Sequence, residues 1–553
     1  MSTLTRRDVL AAFLGAPLAL AACRKRPPPL PPGELRFPTE RLGHRVREAV
    51  KGSIDVPAEA WSRTGIVIVG GGVAGLSAAW RLARAGIDDF VVLELDRAPG
   101  GTAKGGEGSV TSYPWGAHYI TAPMPENAAL IALLDETGLV VERDADGGPV
   151  FAEENLVRDP EERLFADGRW HEDLYLVDGA SPEDLAERDA FRAEVDRWVS
   201  FRDARGRRAF ALPVAHASDD AEVTALDRIS MAEWLDARGL RSERLRWFLE
   251  YACRDDYGST LETTSAWAAI AYFASRLRRP GAAPQAIITF PEGNGRLVAH
   301  LHSKVRARVR LGVAVADVAP VMRGDPAKAG VDVKAMREDG SWLGVHADQV
   351  IFAAQQFLAP HLIAPYRGAP PAHVASFEYG AWMVANLTLR ERPEPPRRRD
   401  GPPFAWDSVL RDSPSLGYVN ATHQLCRDHG PTVLTYYHPL CDASTLAARR
   451  RLLSLGRDEW ADVALADLSR AHPDLRDLVT QLDVVRWGHA MVRPKPGFVF
   501  GGARARAALP DRGIHFAHTD LSGLPLFEEA FFHGVRAAEE VLVARGLEAP
   551  PVR

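Results

Sequence analysis

Apolar residues in this chain fall into three kinds of run, and each predicts a different element. Continuous runs bounded by glycine come first. Ile66-Val67-Ile68-Val69 leads into Gly70-Gly71-Gly72-Val73-Ala74-Gly75-Leu76, and Val91-Val92-Leu93 ends on Glu94. An apolar strand, a glycine turn, a helix and a second apolar strand make a buried parallel strand–helix–strand unit. Val350-Ile351-Phe352-Ala353-Ala354 is another buried strand of this type. Alternating runs come second: Trp382 to Leu389 and Val433 to Tyr437 predict a sheet. Helical spacing comes third. Ser230-Met231-Ala232-Glu233 is a capping box ahead of Trp234 and Leu235. Leu245 to Arg278 predicts two helices interrupted near Asp255 to Gly258, and Leu452 to Leu468 predicts one helix. The aromatic stripe there (Trp247, Phe248, Tyr251, Trp267, Tyr272, Phe273) is either core or a cavity wall. Residues 151–225 are charged and loop-rich. The fold class is α/β.

Val9 to Ala22 is a 14-residue apolar run, shorter than the roughly 20 residues that span a bilayer. It follows Arg6-Arg7 and ends in Leu20-Ala21-Ala22-Cys23, the proportions of a signal peptide. The arginine pair resembles a twin-arginine (Tat) export signal, and Leu20 to Cys23 resembles a bacterial lipobox. These resemblances imply a periplasmic protein exported in the folded state and held to the bacterial membrane through lipidated Cys23. Residues 1–22 are then the signal and 23–60 a tether, with Pro27 to Pro32 a semi-rigid spacer that lifts the domain off the membrane. The alternative is a helical or disordered N-terminus with a chance arginine pair.

A chain of 553 residues is too long for one core. Its 46% hydrophobic and 25% charged content is that of a globular protein. A net charge of −6 gives no basic face for nucleic acid, and Arg397-Arg398-Arg399 reads as a solvated loop. With Cys23 assigned to lipid, Cys253, Cys426 and Cys441 have no metal-ligand spacing, so no metal site is expected. Pairing of Cys426 with Cys441 stays open.

Gly70, Gly72 and Gly75 have the GxGxxG spacing, and Glu94 lies 19 residues beyond Gly75. Gly70 allows a tight turn, Gly72 lets backbone approach a pyrophosphate, and Gly75 brings helix onto strand. The helix start at Val73 and Ala74 favours phosphate, and Glu94 meets a ribose. This pattern alone fits FAD or NAD. Asp96-Arg97-Ala98-Pro99-Gly100-Gly101-Thr102 adds a second glycine pair, which resembles the FAD proteins of the amine oxidase and phytoene desaturase superfamily. Further segments resemble that family in order. They are Tyr113 to Ile120, Phe290 to Leu297, Val315 and Val318, Val350 to Ala354, His515 to Asp520, and Phe527 to Ala538.

The resemblance implies FAD as cofactor in a Rossmann-like domain assembled from residues 61–150, 286–370 and 481–545. An interleaved α+β substrate domain would take 151–285 and 371–480. Cofactor contacts are expected at Gly70, Gly72, Val73, Ala74, Gly75, Glu94, Leu95, Gly100, Gly101 and Thr102. They continue at Gly116, Ala117, His118, Tyr119, Val315, Ala353, Asp520 and Phe527. Asp520 would meet the ribityl or pyrophosphate region, and the helix start at Phe527 the flavin O2. His118 and Trp487 are the catalytic candidates. The alternative for His118 is a buried histidine bonded to backbone, and for Trp487 core packing; Lys495 is a further candidate or a surface residue. Trp406 to Val409 and Ser415 to His423 are functional loops or surface turns.

Four departures from the family pattern stand out: Thr102 replaces an arginine, His518 and Glu529 replace glycines, and Gly380 to Leu389 carries no lysine. No cysteine lies between Arg486 and Asp520, so the flavin is expected to be non-covalent. A second GxGxxG is missing, which leaves a small organic molecule as electron donor and oxygen or a quinone as acceptor. The family implies an amine, polyamines among them, oxidised by hydride transfer to flavin N5. The rivals are a desaturase or isomerase of a hydrophobic polyene or lipid, and a non-catalytic flavin-binding envelope protein.

Overall fold

A computed structural model describes residues 29–36, 40–145, 147–321, 329–393, 402–427, 429–441 and 444–548. The expected export signal, Cys23 and Arg397 to Arg399 lie outside the described residues. Along the chain, β1 (Trp61–Val69), α1 (Val73–Arg84) and β2 (Phe90–Leu93) come first. They are followed by β3 (Glu162–Ala166), β4 (Arg169–Glu172), α2 (Glu243–Tyr257) and α3 (Ala266–Ala274). Next are β5 (Val309–Arg310), β6 (Val313–Val321), β7 (Gly330–Arg337), β8 (Trp342–Phe352), β9 (Tyr379–Leu389), β10 (Asp407–Leu410), β11 (Gly417–Asn420) and β12 (Thr432–Pro439). The last are α4 (Thr445–Ser454), α5 (Arg457–Leu468), β13 (Val479–Val492), β14 (Ile514–Phe516) and α6 (Phe527–Ala544).

Two seven-stranded sheets organise these elements. The first runs β5-β2-β1-β8-β7-β6, with β14 added beside β8. Its centre is parallel: Val69 pairs with Leu93 on one side and Phe352 on the other, and Phe352 pairs in turn with Phe516. Ile66, Val67 and Ile68 are fully buried because helices cover this sheet, which is why their run is continuous rather than alternating. Gly70 turns the chain at φ +102. At Gly75 a Cβ would stand 1.9 Å from the Gly70 carbonyl oxygen, and at Gly534 of α6 one would stand 2.2 Å from that of Ala74. Glycine at both places lets α6 lie directly on α1, and α1 on the turn.

The second sheet runs β13-β9-β12-β11-β10-β3-β4. All of β9 is buried, and its period of two sorts side chains between two clusters. Trp382 and Val384 join Tyr251 and Tyr437, whereas Met383, Ala385 and Leu387 join Tyr436 and Trp460 under α4 and α5. A helical layer around Trp198, Trp234 and Trp267 completes this half.

Several expectations are corrected here. Trp406 to Val409 and Ser415 to His423 are neither loops nor surface turns. They hold the interior strands β10 and β11, because the Trp406 N–H donates to Pro160 and β10 pairs in parallel with β3. The stretch read as loop-rich supplies β3, β4 and a 19-residue helix, Pro182–Ser200. The single helix expected over Leu452 to Leu468 is two, broken at Leu455-Gly456, where the Gly456 N–H donates to Glu459 at 3.0 Å. The break between α2 and α3 begins at Gly258, at φ +57, so Asp255 and Asp256 are still helical. The proline-rich segment is not a free spacer where it is described. Pro32 and Glu34 accept from the Leu482 and Val484 N–H groups at 2.8 and 2.9 Å, and the Arg36 N–H donates to Val484 at 2.9 Å. β13 is an edge strand, and its unpaired backbone groups take up this passing chain.

Candidate active site

The carboxyl ends of β1, β8 and β14 lie side by side, which puts Gly70, Ala353 and Ala517 along one edge of the first sheet. In doubly wound sheets this edge holds ligands. The Gly70–Gly72 turn rests on the second glycine turn, with the Gly100 N–H donating to Gly71 at 2.8 Å. Gly75 and Gly116 are required by close packing, since a Cβ at Gly116 would lie 2.1 Å from the Thr102 oxygen. Gly72 is different. Its φ of −70 suits any residue, and a Cβ there would meet nothing nearer than the Gly101 Cα at 4.0 Å. The protein itself does not demand glycine at 72; the open space beside a helix start does, and it suits a pyrophosphate.

Glu94 accepts from the Gly71 N–H at 2.5 Å and the Asp96 N–H at 2.8 Å. Burial raises its pKa, against the pull of Lys104 and the Gly71 N–H. Lys104, paired with Asp96, is itself lowered to about 8 by burial. A buried carboxylate on the second strand, next to the glycine turn, matches a ribose-binding role. Leu95 packs beside Ala314, Ala316 and Trp342, while Val315 is buried in β6 opposite Ala335. Asp520 is fully buried; its Oδ2 accepts from the Gln356 N–H at 2.8 Å and the Tyr379 hydroxyl at 2.6 Å, while its Oδ1, 2.9 Å from the His518 ring, has no hydrogen-bond partner among the described residues. Burial opposes ionisation there, but these partners hold the pKa below the usual value.

A partly open cavity runs from the first sheet into the second half. Thr102, Gly116, Ala117, His118 and Tyr119 line one end with Phe527 and Glu528 of α6; Trp382, Tyr437 and Trp487 wall the middle. The 113–121 segment is held by its carbonyls. Asn386 donates to Pro114 at 3.0 Å, Trp487 to Trp115 at 2.7 Å, Tyr437 to Gly116 at 2.8 Å, and Thr289 to His118 at 2.9 Å. Trp487 is thus both wall and pin. The His118 imidazole stacks on Tyr437, centroids 4.7 Å apart, and burial pulls its pKa down to about 4. It is a neutral wall group at physiological pH. Lys495 pairs with Glu378 outside the cavity lining.

Next to Tyr119 the lining is acidic, and of the charged groups there only Asp407 lay in a segment singled out from sequence as a candidate functional loop, Trp406 to Val409. Asp255 and Asp256 close α2. The Asp256 carboxylate accepts from the Tyr119 hydroxyl at 3.1 Å and from Arg276 at 3.2 Å. Arg276 is the one cation among the described residues lining the cavity. Behind Asp255, Glu162 and Asp407 are register partners on β3 and β10, and Asp407 accepts from the Tyr251 hydroxyl at 2.8 Å. Burial raises the pKa of Asp407 and Glu528 to about 7 each. Asp255 is pushed well above its usual range by burial and then by the charges of Asp256 and Asp407; for Glu162 the causes are burial and then Asp407. An isolated carboxylate cluster resists ionisation unless a cation joins it. The available sequence signals were the adjacent acids at a helix end and the Tyr251/Tyr272 stripe; Tyr272 does line the cavity.

The model of the flavin-containing amine oxidoreductases matches residues 73–542. The chain belongs to that family. FAD is its cofactor, and the protein is a FAD-dependent oxidoreductase. No curated protein matches the chain. Among solved structures, this amine oxidoreductase is similar to a putrescine oxidase bound to putrescine, at 18% identity and a TM-score of 0.62 over 87% of this chain and 100% of that one. It is also similar to the cyclohexylamine oxidase from Brevibacterium oxydans IH-35A, at 17% identity and a TM-score of 0.59 over 87% and 99%. Likeness at this level extends to the fold. The open space at Gly72 and the buried carboxylate of Glu94 fit FAD in this amine oxidoreductase.

Proposed function

We propose that this flavoprotein oxidises an amine bearing a second positive charge, a diamine or polyamine. The observation that carries the reading is the acidic part of an aromatic-walled cavity, where Asp255, Asp256 and Glu528 face Arg276, the one cation among the described lining residues. FAD, held at the Gly72 turn and by Glu94, would supply the two-electron acceptor for oxidation of the amine. The chain positions and shields the substrate. Trp382, Tyr437 and Trp487 present faces suited to an ammonium or its methylenes and exclude water from the reacting carbon. Arg276 and the Tyr119 hydroxyl fix Asp256, and Asp255, which shares only the Tyr119 hydroxyl at 3.4 Å, meets the distal ammonium. Neutral His118 adds no positive charge to repel a cation. The electron acceptor is oxygen or a quinone. An acidic cavity argues against a polyene donor.

Export by the Tat route and anchoring through Cys23 belong to the same proposal, supported by Arg6-Arg7 and Leu20 to Cys23. Anaerobic mixing tests the donor: spermidine or putrescine should bleach the flavin faster than a monoamine of equal length. Faster bleaching by lipid extract, or no preference for the second charge, overturns the reading.

A further inference from the structure

The N-terminal segment meets the domain at a defined place. Leu30 and Leu35 pack into the cluster that contains Leu455 and Trp460, and Arg457, the first residue of α5, donates to the Pro31 carbonyl. The tether therefore leaves the domain next to the C-terminal end of α4. Six residues lie between Cys23 and Leu30, and the seven Cα steps reach at most roughly 25 Å when extended. Lipid on Cys23 would bring this face, and not any other, down to the membrane.

The face carries the matching chemistry. α4 buries Ala448 and Leu452 against the back of the second sheet, so Leu446, Arg450 and Leu453 project outward one turn apart. Leu446 and Leu453 are 52% and 47% exposed. Between them Arg450 is exposed, while Arg449 turns inward to His489 and Arg451 lies over Trp460; α4 contains no acid. The neighbouring acids of α5 are engaged: Asp458 with Arg457, Asp462 with Arg476, and Glu459 with the Gly456 N–H. An apolar pair flanking arginines suits the boundary of an anionic bilayer.

We propose that α4 is a membrane-contact surface, seating the back of the second sheet on an anionic bilayer. The proposal rests on the reading that Cys23 is lipidated. It places the membrane across the sheet from the cavity, since Trp382 and Val384 face the cavity while Met383 and Ala385 face α4 and α5.

Lipidated full-chain protein, in a Cys426→Ser background, is reconstituted on phosphatidylethanolamine–phosphatidylglycerol vesicles with an environment-sensitive fluorophore at Leu453→Cys. Leu446→Cys is a second site, and Val141→Cys and Val543→Cys are the comparisons. Brominated lipids should quench the α4 labels at least twofold more than the comparison labels, and Arg450→Glu with Arg451→Glu should remove the excess. Vesicle-bound protein with equal quenching at all sites overturns the surface while leaving the anchor intact. Protein that does not float with vesicles overturns the anchor, and the surface with it. Neither result bears on amine oxidation, which the flavin-bleaching experiment reads separately.

Discussion

Gly72→Val separates what the fold needs from what the cofactor needs. At Gly75 an added Cβ collides with the Gly70 oxygen at 1.9 Å, whereas at Gly72 the nearest protein atom is 4.0 Å away and φ is −70. Valine at 72 therefore leaves the strand and α1 intact and fills the space beside the helix start. The backbone N–H groups that the first turn of α1 turns toward that space are the donors it screens. Hydrogen bonds to a charged partner contribute about 1.5–3 kcal/mol each, so losing two costs about 3–6 kcal/mol, or roughly two to four orders of magnitude in FAD affinity. The assay is the flavin-to-protein absorbance ratio after gel filtration, with thermal unfolding scanned with and without added FAD. Parent protein should retain flavin and melt higher with it, because a ligand that binds only the folded state stabilises it. Gly72→Val should be colourless, melt like the parent apoprotein and gain nothing from FAD. A yellow variant with an unchanged ratio would refute the assignment of that space. Gly75→Ala should instead lose folded protein outright.

Asp255→Asn should raise KM for a diamine ten- to a hundredfold and leave a monoamine of equal length nearly unaffected; equal effects on both would remove Asp255 from substrate recognition. Asp407 is raised to about 7 by burial, so its protonated form is favoured in the fold. The stability this gives is complete below the unfolded value near 4 and is lost as pH rises through about 7. Asp407→Asn should thus melt above the parent at pH 8, with the gap closing toward pH 4.5, and a gap independent of pH contradicts the raised value. Trp487→Phe keeps the wall but deletes the 2.7 Å bond to Trp115. Flavin reduction by amine should slow about tenfold, on the scale of one lost hydrogen bond, with a shifted flavin spectrum. An unchanged spectrum and rate would reduce Trp487 to packing.

How far the sequence can be read depends on how local each constraint is. The strand–glycine–helix–strand unit is legible because its requirements sit within 30 residues: a positive φ at Gly70, contact at Gly75 and an acid at Glu94. The capping box at Ser230 and Glu233 is legible for the same reason, and the structure has both of its hydrogen bonds. The acidic part of the cavity is not. Within their own segments Glu162 stands in a charged stretch, Asp255 at a helix break and Asp407 in a functional loop or surface turn, and nothing local brings them together. They converge only because β3 pairs in parallel with β10, a contact between strands some 245 residues apart, and because α2 ends against that pair. The tether shows the same limit from the other side. Its prolines specify an extended chain, but where an extended chain comes to rest depends on an open sheet edge, and β13 offers one from the opposite end of the sequence. Burying carboxylates against one arginine costs stability unless something offsets it. On the proposed reading, a cationic substrate is what offsets the cluster, and the least legible part of this chain is then the part most closely tied to its substrate.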